Sequence, residues 1–228
     1  MTKNNYFENN SLDQFIGGKI SLYQPKNGYR ANVESILLGA AIHAKKGQNI
    51  LELGCGVGAV LCSLMCRIEG LNVVGIESQK RYATLAARNI AYNGFTGKIL
   101  ECDISALPSA FKKFQYDHVV FNPPFFRLGA SMRLKRGDED IARREQHLLL
   151  KDWLDIAIKR CAIKGEVVLI HEASRLDDII KLVDKKLGNL TILPISSFSN
   201  QNAKRILVKG KKGSSSPLKI LPPLVMHE

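Results

Sequence analysis

Leu51-Glu52-Leu53-Gly54-Cys55-Gly56-Val57-Gly58 joins an apolar run to a glycine-rich turn. The run Asn49–Leu53 has the length and composition of a buried strand, and residues 59–68 beyond the turn carry helical periodicity. Glycines in such a turn let the backbone approach a ligand, and the helix N-terminus that follows favours anionic groups. The pattern recurs downstream. Asn72–Glu77 reads as a strand and 79–92 as a helix, and residues 98–102 and Tyr116–Phe121 read as two more strands. A helix is expected over 146–162, a strand over 166–171, a helix over 176–186, and strands over 190–195 and 204–209. This alternation predicts an α/β fold with a largely parallel sheet, right-handed crossovers and helices on both faces. Only residues 196–203 separate the last two strands, too few for a crossover helix, so that pair is expected to be antiparallel.

Upstream, residues 15–24 read as a small hairpin around Gly17-Gly18, Pro25-Lys26-Asn27-Gly28 as a turn, and 33–44 as a helix. Residues 1–11 are polar and Asn-rich, which predicts a loose tail. The expected division is an N-terminal hairpin and helix over 1–45, an α/β domain over 46–213 and a C-terminal tail over 214–228.

If the sheet is doubly wound, ligands bind at the carboxyl ends of its strands, near the point where strand order reverses. Four chain points then converge. The first is the turn Gly54-Cys55-Gly56-Val57-Gly58. The second is Glu77, closing the next strand, where an acid can accept both hydroxyls of a ribose. The third is Asp103, placed to accept an adenine amino group. The fourth is Asn122-Pro123-Pro124-Phe125, where an amide at a strand end is fixed by two prolines and followed by an aromatic ring. That turn suits a planar group carrying an NH2: the amide and a neighbouring carbonyl accept its hydrogens while the ring stacks on its plane. A plainer reading makes Glu77 and Asp103 helix caps and the Asn122 turn a rigid strand end. A dinucleotide-binding fold would share some of these features, but the glycine spacing here is GxGxG, not GxGxxG.

Composition sets the outer bounds. At 228 residues the chain holds one α/β domain with a full core, and no stretch approaches the length needed to span a bilayer. The first residues lack an apolar signal core, which predicts cytoplasmic residence. The five cysteines include no CxxC pair. Cys62 and Cys66 fall on one helix face, where two metal ligands meet, but buried thiols in a reducing compartment explain them as well, and no metal is expected. The net charge of +12 favours polyanionic partners. Arg127, Arg133, Lys135, Arg136, Arg143 and Arg144 lie just after the Asn122 turn, either as a solvated loop or as a clamp on RNA. Lys204, Arg205, Lys209, Lys211 and Lys212 are candidates to extend that surface, and His147 and His171 read as structural.

The series Leu51–Gly58, Glu77, Asp103 and Asn122-Pro123-Pro124-Phe125 resembles the class I S-adenosylmethionine-dependent N-methyltransferases. More narrowly, Asp13-Gln14-Phe15-Ile16-Gly17-Gly18 and Gln24-Pro25-Lys26-Asn27-Gly28-Tyr29-Arg30-Ala31 resemble the bacterial tRNA1(Val) adenine-N6 methyltransferase family. So do Ala142-Arg143-Arg144-Glu145 and Leu221-Pro222-Pro223-Leu224. The resemblance implies a Rossmann-like, seven-stranded methyltransferase sheet with an antiparallel last strand. It implies S-adenosylmethionine as cofactor, held by Tyr29, Arg30, Glu52, Gly54, Cys55, Gly56, Gly58, Glu77, Ser78, Asp103, Ile104 and Asn122. It also implies catalysis by Asn122, Pro123, Pro124 and Phe125 on the tRNA adenine beside the anticodon. Phe125 departs from the tyrosine common at that place, which keeps stacking and drops a hydroxyl. Related enzymes with the same turn act on DNA adenine, ribosomal guanine or protein glutamine. Ribosomal RNA, a protein glutamine and a non-catalytic RNA-binding role therefore stay open as alternatives.

Overall fold

Ile50, Leu51 and Leu53 are almost wholly buried because their strand lies inside a sheet covered on both faces. In the computed structural model, which describes residues 9–124 and 148–227, the strands are β1 (Asn10–Phe15), β2 (Ile20–Pro25), β3 (Asn49–Leu53), β4 (Asn72–Glu77), β5 (Lys98–Glu101) and β6 (Tyr116–Phe121). They continue as β7 (Cys161–Glu172), β8 (Leu187–Ser196), β9 (Arg205–Lys212), β10 (Lys219–Ile220) and β11 (Leu224–Val225). The helices are α1 (Val33–Ala40), α2 (Ala59–Arg67), α3 (Lys80–Tyr92), α4 (Ser109–Lys113), α5 (Leu150–Arg160) and α6 (Leu176–Val183).

The main sheet runs β10-β8-β9-β7-β6-β3-β4-β5, with β11 also on β8. Strands β3 to β7 pair in parallel, and β9 enters antiparallel between β7 and β8. The chain moves outward from β3 through β4 to β5, then returns to place β6 on the other side of β3. Strand order therefore reverses between β3 and β6, whose register sets Leu53 opposite Phe121. A crevice opens at the carboxyl ends of such a pair. One apolar layer packs α1, α2, α3 and β2 on one face, and a second packs α5 and α6 on the other.

Three local readings are corrected. Asn10 and Ser11, expected to be loose, pair with Pro25 and Gln24 in the hairpin. Residues 214–228 hold two short strands parallel to β8, because the backbone N–H groups of Leu221 and Met226 find strand carbonyls at Ile192 and Ser196. Strand β7 begins at Cys161, directly after α5, with a register shift against β6 between Tyr116 and His118. The seven strands expected of the sheet are β3 to β9.

The hairpin is tied to α3 by two amides one helical turn apart, where side chains share a face. Asn89 Oδ1 accepts from the Tyr23 N–H at 2.7 Å, and its Nδ2 donates to the Tyr23 carbonyl at 3.0 Å and the Val57 carbonyl at 2.9 Å. Asn93 makes the matching pair with Ser21. A fully buried asparagine thus joins the hairpin to the glycine turn.

Candidate active site

Gly54, Gly56 and Gly58 all have positive φ, at 67°, 53° and 81°, so the chain turns sharply between β3 and α2. The turn is pinned from β4. Cys55 N–H donates to the Ile76 carbonyl at 2.8 Å, and Gly56 N–H donates to Glu77 Oε2 at 2.9 Å. Glu77 Oε1 accepts from the Gln79 N–H at 2.9 Å, so the same carboxylate fixes the residue that precedes α3. Oε1 also takes the Ser78 hydroxyl, and Oε2 keeps a second lone pair for a hydroxyl donor.

Glu52 lies behind the turn and is 3% exposed, with no hydrogen-bond partner for Oε2 among the described residues. Burial, reinforced by the neighbouring Glu77 charge, pushes its carboxyl well above the usual range. Burial also raises Glu77, against the pull of its backbone donors. Cys55 is buried, and its thiol is pushed up by the same burial and by both acids, so it is no thiolate nucleophile. Two acids in a low-dielectric pocket suit a ligand that brings hydroxyls and a positive charge.

Asp103 follows β5 and is exposed. Its Oδ1 accepts from the Ser105 N–H at 2.7 Å and the Ser105 hydroxyl at 2.6 Å, and its Oδ2 has no hydrogen bond among the described residues. Ile104 beside it is buried, and Ser78 is exposed with its hydroxyl donating to Glu77 Oε1 at 3.5 Å.

Tyr29 approaches the turn from the other side. Its N–H donates to Tyr82 Oη at 2.8 Å, and a Cβ at Gly56 would stand 2.9 Å from its ring. Arg30 faces the hairpin instead: its guanidinium pairs with Asp13 and donates to Ser11 Oγ at 3.1 Å and the Pro25 carbonyl at 2.7 Å. The structure thus brings together Glu52, the glycine turn, Glu77 and Tyr29, and holds the Arg30 charge on the hairpin.

Asn122 follows β6, one residue beyond the Leu53–Phe121 pair. Its Oδ1 is buried and has no hydrogen-bond partner among the described residues. A buried amide oxygen without a donor is unfavourable by about 1–3 kcal/mol, so the position favours a ligand that brings an N–H. Pro123 is buried and Pro124 half-buried, which fixes the turn that carries it. Phe125 and the expected RNA clamp, Arg127, Arg133, Lys135, Arg136, Arg143 and Arg144, lie outside the described residues, as does His147. His171 is buried and accepts the Glu172 N–H on Nδ1. Lys204 precedes β9 and Arg205 begins it, at the sheet end that carries Asn122, whereas Lys212 Nζ caps α5 at the Ile158 and Cys161 carbonyls.

Two supporting residues escaped the sequence reading. Trp153 stacks on Phe121, with centroids 5.9 Å apart and planes 24° from parallel, and its rim closes on Gly54. One indole therefore braces both strand ends. Its signal was its uniqueness, as the only tryptophan, just after the basic segment. The second is Asn89, a poor helix former in a helix interior, four residues before another asparagine.

A sequence profile described as the methyltransferase small domain matches residues 30–160. A Porphyromonas gingivalis protein named tRNA1(Val) (adenine(37)-N6)-methyltransferase is 30% identical over 196 residues, covering 80% of this chain and 76% of its own. Among solved structures, an Agrobacterium tumefaciens protein described as a predicted O-methyltransferase aligns with TM-score 0.68 and 25% identity, covering 86% of this chain and 88% of its own. A T. thermophilus 16S rRNA N2 methyltransferase, in complex with AdoMet and guanosine, aligns with TM-score 0.64 at 19% identity, covering 89% of this chain and 50% of that one.

Proposed function

The chain belongs to the methyltransferase small domain family and is a class I S-adenosylmethionine-dependent N-methyltransferase, and on that premise we propose that it methylates the exocyclic N6 of an adenine in tRNA. Position 37 of tRNA1(Val), or a similar anticodon-loop adenine, is the preferred target, by similarity to relatives of that name. The observation that carries the reading is the buried Oδ1 of Asn122, which has no partner among the described residues. The charge of +12 supports a polyanionic substrate.

The site fits the cofactor on its own chemistry. Glu77 Oε2 offers a lone pair to a ribose hydroxyl, Asp103 Oδ2 is open to an adenine amine, and Glu52 Oε2, without a partner among the described residues, suits an ammonium group. Bound there, S-adenosylmethionine supplies an electrophilic methyl on a sulfonium. An adenine N6 is a weak nucleophile because its lone pair is delocalised into the ring. Asn122 Oδ1 and the Pro123 carbonyl accept its two hydrogens, which favours a pyramidal nitrogen. These bonds strengthen as positive charge grows on nitrogen, so they stabilise the transition state more than the ground state. The glycine turn and Asn122 flank one crevice, so orientation supplies much of the acceleration. No base is needed before transfer, because the proton leaves afterwards. Phe125 stacks on the target base once it is turned out of its loop.

The test is to incubate the protein with radiolabelled S-adenosylmethionine and total RNA from a strain lacking the gene, then identify the labelled nucleoside. N6-methyladenosine in the tRNA fraction is the expected result. Label in ribosomal RNA or in protein would refute the tRNA assignment and keep the reaction class. Cofactor binding with no transfer to any acceptor would favour a non-catalytic role.

A further inference from the structure

Strand β9 starts where the parallel strands end. Its register sets Arg205 opposite Glu172, three residues beyond Leu169, which pairs with Phe121. At about 3.3 Å per residue and 4.8 Å per strand, the start of β9 stands about 7 Å beyond Asn122 and about 10 Å to its side. Lys204 is exposed there and held rigidly: its N–H donates to the Ile195 carbonyl at 3.2 Å, and its carbonyl accepts from Ala173 at 3.0 Å.

The loop before it, Ser197-Phe198-Ser199-Asn200-Gln201-Asn202-Ala203, has hydroxyls, amides and one aromatic, and no acid. Phe198 is 41% exposed. The C-terminal segment brings His227 beside it through the bonds from Met226 N–H to the Ser196 carbonyl and His227 N–H to the Ser197 carbonyl. The two rings lie 5.5 Å apart and tilted by 44°. Main-chain bonds along β8 already hold this segment, so the ring pair is not its main anchor. Two acids lie near, Glu34, bound by Arg205 at 2.7 Å, and Glu172, opposite Arg205 in the ladder, so the Arg205 charge offsets both against a phosphate.

We propose that Phe198, His227 and Lys204 form an RNA-docking rim along the sheet end that carries the methyl-transfer site, with Lys204 nearer Asn122 and the ring pair further out past β8, where an unpaired base of the substrate packs on the Phe198–His227 pair and a phosphate meets Lys204. The inference rests on the RNA reading above and names where the substrate next touches the protein. Stacking platforms beside a cation suit single-stranded segments, because every base has an aromatic face.

The test is fluorescence anisotropy with a labelled anticodon stem–loop RNA, over a salt series, alongside calorimetry of S-adenosylmethionine binding. Phe198→Ala weakens RNA binding about tenfold, and Phe198→Tyr restores it to within about twofold. Lys204→Ala lowers the slope of log affinity against log salt by about one. Cofactor affinity is unchanged in all three. Wild-type RNA affinity in Phe198→Ala, or no rescue by tyrosine, would overturn the rim. If wild type methylates RNA and Phe198→Ala binds it equally well, only the rim falls; if wild type neither binds nor methylates RNA, the RNA reading falls with it.

Discussion

Gly56→Ala separates the cofactor role of the glycine turn from its role in folding. Gly56 has φ +53°, and an alanine held there is strained by about 1–2 kcal/mol. Its Cβ would stand 2.9 Å from Tyr29 Cε1, against a normal contact of about 3.5–4 Å. The ring must therefore withdraw by up to about 1 Å. It is 47% exposed and can swing outward, at the loss of its hydroxyl bond to Ser35. The withdrawal opens the wall of the turn, and any shift of Gly56 lengthens its 2.9 Å bond to Glu77. The expected loss of stability is about 2 kcal/mol, or about 4–8 °C in Tm for a chain of this size. The expected loss of S-adenosylmethionine affinity is at least about tenfold, or about 1.4 kcal/mol. Gly94→Ala is the control. It has φ +74° with nothing within 4 Å, so it carries the backbone strain alone, away from the turn. Thermal melts and calorimetry on both variants separate the two effects. Equal cofactor affinity in the two variants would refute the assignment of the turn.

Asn89→Ala removes three buried hydrogen bonds and strands the polar groups of Tyr23 and Val57. Urea denaturation is expected to show a loss of about 3–5 kcal/mol. As the only tryptophan, Trp153 should report events at the turn, and its emission should change saturably on adding S-adenosylmethionine. A flat titration under conditions where calorimetry shows binding would break that link. His171 is buried, and burial together with Arg175 pulls its pKa from 6.5 down to about 4. Below pH 6.5 the unfolded chain takes up a proton that the folded chain does not, so stability falls between pH 6.5 and about 4 and levels off below. His171→Gln should flatten that limb by about 3 kcal/mol in pH-dependent melts.

What was legible in the sequence is what chain-local chemistry dictates. The glycine turn, the acid ending β4 and the Asn122 turn each announce themselves within a few residues, and alternating periodicity fixes the order of the elements between them. The antiparallel pairing of β8 and β9 followed from the short connection alone. What stayed hidden depends on partners distant in sequence. Asn89 reads as an ordinary polar helix residue until β2 lies against α3, and Trp153 as ordinary core until β3 and β6 are neighbours. Arg30 sits in a motif that suggested a ligand contact, yet Asp13, Ser11 and the Pro25 carbonyl surround its guanidinium. The start of β7 was misread because Cys161 continues the apolar pattern of α5, and periodicity does not mark where a helix passes straight into a strand. The edge strands β10 and β11 are two residues each, too short to leave a periodic signal.

The central claim is that the buried Oδ1 of Asn122 receives the amine that is methylated. The most direct measurement is single-turnover methyl transfer by Asn122→Ala, set beside its S-adenosylmethionine affinity. The account predicts affinity within about twofold of wild type and transfer slowed at least about a hundredfold, the scale of losing one preorganised transition-state contact. An Asn122→Ala protein that transfers methyl groups at the wild-type rate would contradict it.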